Sequence, residues 1–264
     1  MTPDPFTVSA LPEELESALG AAAGRLGPFG RRILWHPETS STNDVAAVFA
    51  ERGADEGLVV VADYQSAGRG RLGRAWISPP GAGLYVSIVL RPTARALPLL
   101  TIAAGVAVAE AVAVATGLDL QLKWPNDVHI GGRKLAGILA EGAAQHVVLG
   151  IGINVLLASY PRDVADRATS IEAELGRPPD RGVLLAECLS SLAKWYRVLT
   201  EQGGRPVVEA WRLRAASTLG RRVEWEAGPA TRRGLAENID EAGALLVRSG
   251  SELVPITSGV VRWL

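Results

Sequence analysis

The sequence predicts a chain of the α/β (α+β) class, helices and strands in alternation followed by a small C-terminal β-barrel. Helical and strand patterns interleave over most of the length. With 48% apolar residues over 264 positions there is material for a sizeable core. From Arg221 to Leu264 the character changes to short Val, Leu and Trp segments broken by Gly228-Pro229, Ala242-Gly243, Ser249-Gly250 and Ser258-Gly259. Such regular turn signals suggest a small barrel. The division expected from this change is one domain over residues 1–216 and a second over 217–264.

Taken in order, Pro12 to Arg25 reads as a helix and Arg31 to His36 as a strand. Ser40, Ser41 and Thr42 are cap candidates for a helix over Asn43 to Arg52, whose Val45, Val48 and Phe49 share one face. A Val run makes Leu58 to Ala62 a buried strand, and Leu84 to Leu90 alternates so weakly that burial on both faces is expected. Leu97 to Thr116 is a long Ala/Val helix that contains Glu110 and lacks basic or aromatic anchors at both ends, so it reads as a buried helix and not a membrane span. Asp119 to Lys123, Val128 to Ile130, Lys134 to Glu141 and Val147 to Ile151 read as consecutive strands, with Gly131-Gly132 as a two-residue hairpin turn. The pattern from Arg162 to Ala216 is helical, and Leu184, Leu185, Cys188, Leu189 and Leu192 trace its apolar stripe. Cys188 is therefore expected to be a small core residue and not a nucleophile.

Several function classes are excluded. One Cys and three scattered His (His36, His129, His146) cannot supply a disulfide framework, a structural zinc site or a metal cluster. A net charge of -1 argues against a general nucleic-acid binder. Met1 to Ala10 has no basic stretch leading into an apolar core, so it does not read as a secretory signal and a cytoplasmic address is expected. There is no Ser/His/Asp or Cys/His arrangement to support a hydrolase.

The basic residues are unusual, with 24 Arg against three Lys: Lys123, Lys134 and Lys194. Lys194 lies in an amphipathic helix and is expected to be solvated, whereas Lys123 and Lys134 fall in one motif-dense segment. The sharpest motif is Gly68-Arg69-Gly70-Arg71-Leu72-Gly73-Arg74. It contains G-x-G-x-x-G after a strand, but the residues that follow, Ala75 to Gly81, include two prolines and cannot be the helix that a dinucleotide fingerprint requires. Three guanidiniums in seven residues without a carboxylate, on glycines that let backbone N–H groups approach a ligand, fit an anion such as a polyphosphate. The alternative is a flexible solvated loop.

Lys123-Trp124-Pro125-Asn126-Asp127 reads as a turn, with Pro125 keeping Trp124 out of the helical region. Lys134 then shares a strand face with Ala136, so its ammonium is either partly buried beside an anion or a charge at a sheet edge. Gly150-Ile151-Gly152-Ile153-Asn154 ends a strand with two glycines, which mark close approach to a ligand or a bulge. Together these describe a pocket holding a carboxylate or phosphate near Lys134 with an arginine loop able to cover it, and nucleotidyl transfer fits.

Taken with Ser41-Thr42-Asn43 and Tyr64-Gln65-Ser66-Ala67, these motifs occur in an order that closely resembles biotin protein ligase, from about residue 40 to 155. The resemblance implies the α/β fold shared with class II aminoacyl-tRNA synthetases, a mixed sheet backed by helices, and an SH3-like C-terminal domain. It implies that biotin and ATP give biotinyl-5′-AMP and pyrophosphate, and that biotin then passes to a lysine on the biotin carrier domain of an acetyl-CoA, other acyl-CoA or pyruvate carboxylase. By motif match, Ser41, Thr42, Gln65, Gly68, Tyr85, Gly137 and Gly152 would line the biotin pocket. Arg69 and Arg71 would hold the adenylate. Arg74 would meet the ATP phosphates, Trp76 would stack near adenine and Asn154 would bond it. Lys134 would bridge the biotin carboxylate and the α-phosphate, with Asn126 and Asp127 near the phosphates and Mg2+.

Some members carry an N-terminal DNA-binding domain. Only about forty residues precede the Ser-Thr-Asn motif here, so the resemblance points to the monofunctional form, with no DNA and no membrane among its partners; a homodimer is one arrangement it allows. The family's loop often carries a basic residue where this chain has Leu72, and little effect is expected. Two other readings stay open: a lipoate ligase of similar fold, and a non-enzymatic adenylate-binding module.

Overall fold

In the computed structural model, which describes residues 6–227, 230–257 and 259–264, the chain begins with α1 (Glu13–Ala22), closed by a 3-10 turn, and β1 (Ile33–Thr39). The helix α2 (Thr42–Glu51) follows, then β2 (Val59–Gln65), β3 (Gly83–Leu90) and α3 (Leu100–Thr116). Next come β4 (Gln121–Lys123), β5 (Asp127–Ile130), β6 (Arg133–Gly142) and β7 (Val147–Asn154). The helical segment resolves into α4 (Ile171–Leu175), α5 (Arg181–Arg197) and α6 (Gly204–Arg212), and the tail into β8 (Arg222–Ala227), β9 (Ala230–Ile239), β10 (Leu245–Ser249), β11 (Glu252–Ile256) and β12 (Val261–Trp263).

The first seven strands form one sheet in the order β1-β2-β3-β7-β6-β5-β4. Only the β1–β2 pair, joined through the crossover helix α2, is parallel. Side chains therefore alternate between two covered faces. Val59 and Val61 belong to the large core under α1, α3 and α5, whereas Val60 joins Val45, Ala46, Val89 and Val148 in a smaller cluster under α2. Every residue of β3 is buried, as its weak alternation predicts. The tail forms a separate five-stranded antiparallel sheet in the order β11-β10-β9-β8-β12. The mixed fold predicted by the sequence is thus present. The turns expected at Gly228-Pro229 and at Ser258 lie outside the described residues.

Several boundaries differ from the sequence reading for identifiable reasons. The Leu97 to Thr116 helix is a 3-10 turn followed by α3, because Pro98 occupies the first turn, and it stops at left-handed Gly117 (φ 78°). Its length and apolarity would suit a membrane, but 67% of its apolar window is buried in the fold. β7 continues three residues past the expected end, because Ile153 and Asn154 still pair with β3. Gly131 and Gly132 form the predicted hairpin turn, both with the positive φ that it needs (55° and 80°).

Two charge and thiol readings can be compared directly with the packing. Lys194 is not merely solvated: its Nζ lies 2.8 Å from Glu110 Oε1, an acid of α3 that also accepts from Trp195 Nε1. Cys188 is buried in the large core, and burial pushes its thiol up to about 12. A thiol with that value carries almost no thiolate at pH 8. Titration of the native chain with a chromogenic disulfide at pH 8 should therefore find no fast-reacting group, and one equivalent should appear only on denaturation.

Candidate active site

The face of β6 and β7 that α2 covers does not stay covered. Along β7 the side chains on this face run Val148, Gly150, Gly152, and the register sets Glu141, Leu139 and Gly137 of β6 beside them. Val148 packs on α2. Beyond it the two glycines of β7 and Gly137 leave bare backbone, and here a cleft of about 780 Å³ opens.

Each bare position is used by a particular neighbour. A Cβ on Gly150 would lie 2.3 Å from Asn43 Oδ1, one on Gly152 would lie 2.5 Å from the Trp76 indole, and one on Gly137 would meet both Trp76 (3.0 Å) and the Lys134 ammonium (3.3 Å). The sequence left open whether these glycines admit a ligand or form a bulge. In this structure they admit side chains, and Trp76 covers part of the floor assigned to biotin. Its Nε1 is buried without a hydrogen-bond partner.

Lys134 does not stand at an exposed edge. Its backbone pairs with His129 on one side and with Ala168 on the other, through Lys134 N–H to Arg167 O (2.8 Å) and Thr169 N–H to Lys134 O (2.9 Å). Its Nζ is 2.6 Å from Asp127 Oδ1 and lies 5.3 Å from the centroid of the Trp76 ring. Burial alone would raise the Asp127 carboxyl, but the nearby His129 ring, 3.9 Å away, and the Lys134 ammonium in contact with it outweigh burial and hold the group below its ordinary value. The carboxylate is thus kept ionised opposite the ammonium. Asn126 anchors the preceding turn by donating to Ile138 O (2.8 Å), and its Oδ1 accepts from Arg71 (3.2 Å).

The arginine loop is a short ordered hairpin. Trp76 N–H donates to Gly68 O and Gly70 N–H to Arg74 O, so these amides are consumed inside the loop and do not form an open anion nest. No helix follows it, in agreement with rejection of the dinucleotide fingerprint. The three guanidiniums also differ. Arg69 does meet carboxylates, supplied by other elements: it donates to both oxygens of Asp44 (2.7 and 2.9 Å) and to Glu141 (3.2 Å), which raise its pKa. Arg71 forms no ion pair among the described residues, and burial lowers its pKa. Arg74 is exposed at the cleft wall.

Of the remaining sequence-predicted residues, Ser41, Thr42, Gln65 and Asn154 line the cleft. Ser41 is the N-cap of α2 without a side-chain cap bond. Gln65 Oε1 accepts from Thr42 N–H (2.9 Å) and Oγ1 (3.1 Å). Asn154 donates to Thr169 O (3.0 Å), which places it in the wall that holds the Ala168 segment. Gly68 and Tyr85 do not reach the cleft surface. A Cβ on Gly68 would lie 2.4 Å from Trp76 O, so it is a packing glycine of the loop base, and Tyr85 is buried, its hydroxyl donating to Pro79 O (3.3 Å).

Sequence reasoning missed His129, Arg167 and Trp263, all of which line the cleft. His129 was recoverable, since Asp127 and His129 alternate onto one strand face once β5 is started at Asp127. Trp263 was not, because it comes from the C-terminal sheet; Lys123 Nζ lies 5.5 Å from its ring, and burial lowers the Lys123 pKa.

Among the described residues no three His, Cys, Asp or Glu gather to hold a metal. Asp127 offers one carboxylate, already engaged by Lys134. This donor set does not build a resident metal site.

Comparison with known proteins agrees with the architecture. Residues 35–154 match the biotin/lipoate A/B protein ligase family and residues 218–262 match the biotin protein ligase C-terminal domain. The chain is 36% identical over 242 residues to the bifunctional ligase/repressor BirA of Bacillus subtilis, covering 88% of this chain and 74% of that one. It is 38% identical over 233 residues to a biotin–[acetyl-CoA-carboxylase] ligase of Mycobacterium tuberculosis, covering 85% and 86%. The structure of the biotin protein ligase of Aquifex aeolicus in complex with biotin and ATP superposes with a TM-score of 0.79 at 30% identity, over 89% of this chain and 99% of that one. A chain with this sheet, this cleft and this order of motifs belongs to the biotin protein ligases.

Proposed function

We propose that the cleft activates biotin with ATP to biotinyl-5′-AMP and pyrophosphate, and that the biotinyl group is then transferred to a lysine amine on a biotin carrier domain. The observation that carries the reading is the Lys134 ammonium, pinned 2.6 Å from Asp127 above bare glycine backbone and beside Arg71, which lacks a carboxylate partner. In the first step a carboxylate oxygen attacks the α-phosphorus and pyrophosphate leaves with the electron pair of the broken P–O bond. Both partners are anions, so the work for the protein is to position them and neutralise their charge. Lys134 is suited to stand between the carboxylate and the α-phosphate. Arg71 and Arg74 are suited to the phosphates, being free of the carboxylates that hold Arg69. Mg2+ belongs to this scheme as part of the ATP substrate.

In the second step the acceptor amine attacks the biotinyl carbonyl, AMP leaves, and a proton is lost from nitrogen. The mixed anhydride must be kept from water until then, and the hairpin from Gly68 to Trp76 is placed to cover it. Trp76 has to leave the floor between Gly137 and Gly152 before a ligand can lie there. A lipoate ligase is the second reading that the fold admits. Exchange of labelled pyrophosphate into ATP, run with biotin and with lipoate, decides between them: biotin-dependent exchange is expected, and exchange driven by lipoate alone would overturn the assignment.

Two substitutions test the residue roles. If Lys134 were only a solvated charge, Lys134→Arg should be silent in a chain that uses Arg almost everywhere. A guanidinium cannot occupy the volume of a compact ammonium between two anions, and misplacement by about 1 Å can cost on the order of a hundredfold in rate. A deep loss in adenylation, a milder loss in transfer from pre-formed biotinyl-AMP and an unchanged unliganded Tm are expected. Arg71→Gly should remove a charge-assisted contact worth roughly 1.5 to 3 kcal/mol. A filter-binding chase should show faster release of biotinyl-AMP and labelling of bystander lysines.

A further inference from the structure

Asn43 belongs to the first turn of α2 and is 5% exposed. A buried amide must find partners for both its oxygen and its nitrogen. Its Nδ2 donates to Glu141 Oε2 at 2.5 Å, and its Oδ1 lies 2.5 Å from the Ser87 hydroxyl. That hydroxyl is also 2.7 Å from Thr42 Oγ1, and the Thr42 backbone N–H donates to Gln65 Oε1 (2.9 Å). Gln65 Nε2 donates to Ser78 Oγ (2.9 Å), and Ser78 Oγ to Trp76 O (3.1 Å). At the other end, Glu141 Oε2 accepts from Arg69 Nη2 at 3.2 Å. One chain of polar contacts thus runs beneath the cleft from Arg69, on the first leg of the hairpin, to Trp76 and Ser78 on the second. Thr42 and Gln65 lie in its middle.

The arrangement is built into the backbone. Asn43 rests against β7 at Gly150, where any Cβ would displace it, and Glu141 leaves β6 on the same face as Leu139 and Gly137. Side chains joined in one polar network restrain one another's positions more firmly than isolated pairs do. Removing the charge at one end therefore loosens the register between the pocket floor and the loop. The bonds made at the reacting atoms are left as they were.

We infer that Glu141, acting through Asn43 and Arg69, is a positioning residue that ties the arginine hairpin to the Thr42–Gln65 floor and so sets biotin affinity and adenylate retention. The inference rests on the activity proposed above. Its test is Glu141→Gln in the full chain, a substitution that keeps shape and loses charge. Loss of a hydrogen bond between charged groups predicts a rise of about 10-fold in the biotin KM for pyrophosphate exchange, with kcat within about twofold and an unliganded Tm close to wild type. Release of biotinyl-AMP should accelerate by a similar factor. Glu141→Asp, which keeps the charge on a shorter stem, should recover part of both effects. In a cycle with Arg69→Gln the double variant should lose less than the product of the two single losses, because the residues share one contact.

An unchanged KM and release rate in Glu141→Gln would overturn the inference. So would a fall in Tm with kcat and KM lost together, since that is the signature of a merely structural carboxylate. The wild-type arm separates the two readings. Absence of biotin-dependent exchange in wild type removes the proposed activity and this inference with it, whereas normal exchange with an unaltered variant removes the inference alone.

Discussion

The cleft depends first on one ion pair, between the Lys134 ammonium and the Asp127 carboxylate across the β5–β6 hairpin. Both groups are partly withdrawn from water, and leaving either without the other would expose the chain to the cost of a lone, poorly solvated charge. The pair in turn fixes the hairpin geometry. Gly131 and Gly132 turn the chain. A bulge between the Val128–Ala136 and His129–Lys134 pairs puts Lys134 on the face of Asp127 and Gly137 and not, as strict alternation predicts, on that of Ala136. A Cβ on Gly137 would crowd the ammonium at 3.3 Å. An incoming anion on Lys134 would meet an ammonium already partnered, so the pair also sets how much charge the site offers to a ligand.

A second constraint concerns the arginines. Seven residues with three guanidiniums look uniform in the sequence, yet the fold gives each a different electrostatic state. Arg69 is neutralised by Asp44 and Glu141, Arg71 is half-buried with an amide oxygen as its partner, and Arg74 is exposed. The tip between them places Leu72 in the left-handed region (φ 58°), which an unbranched-at-Cβ apolar side chain adopts rarely. Because Leu72 is exposed, nothing that packs on its side chain explains that backbone. Leu72 falls between Arg71 and Arg74, both of which line the cleft.

Much of this was legible because periodicity and motif order are local. The Val run of β2, the Ala/Val run of α3 and the Gly-Gly turn each announce their own conformation, and Lys134, Arg71 and Asp127 were found from motifs within one stretch of chain. What was not legible depends on distant partners. Nothing near Gly150 in sequence says that its missing Cβ accommodates Asn43, and nothing near Arg69 says that Asp44 and Glu141 will reach it. Resemblance alone assigns Tyr85 to the pocket; the structure pairs it with Gly152 but buries it to 1% exposure, with its hydroxyl donating to the Pro79 carbonyl. A motif match transfers position along the chain; whether a side chain reaches the surface is decided by the loop that packs above it.

The lysines make the same point from the opposite side. Each of the three lies close to a tryptophan ring, Lys123 at 5.5 Å from Trp263, Lys134 at 5.3 Å from Trp76 and Lys194 at 5.0 Å from Trp195. An ammonium over an indole face is a favourable but modest contact, so the pairing cannot by itself mark a functional site. Lys194 shows this, since both oxygens of Glu110 accept from its ammonium on the helical side of the fold. The two cleft lysines differ in what surrounds the contact. Lys134 has one carboxylate and open cleft beside it, and Lys123 has the ring of a residue from the other sheet. A compact ammonium can keep an aromatic face on one side and leave the opposite side open to an anion, whereas a planar guanidinium in the same place would span both. In a chain that otherwise chooses Arg, that geometric difference gives a physical reason for Lys at the cleft.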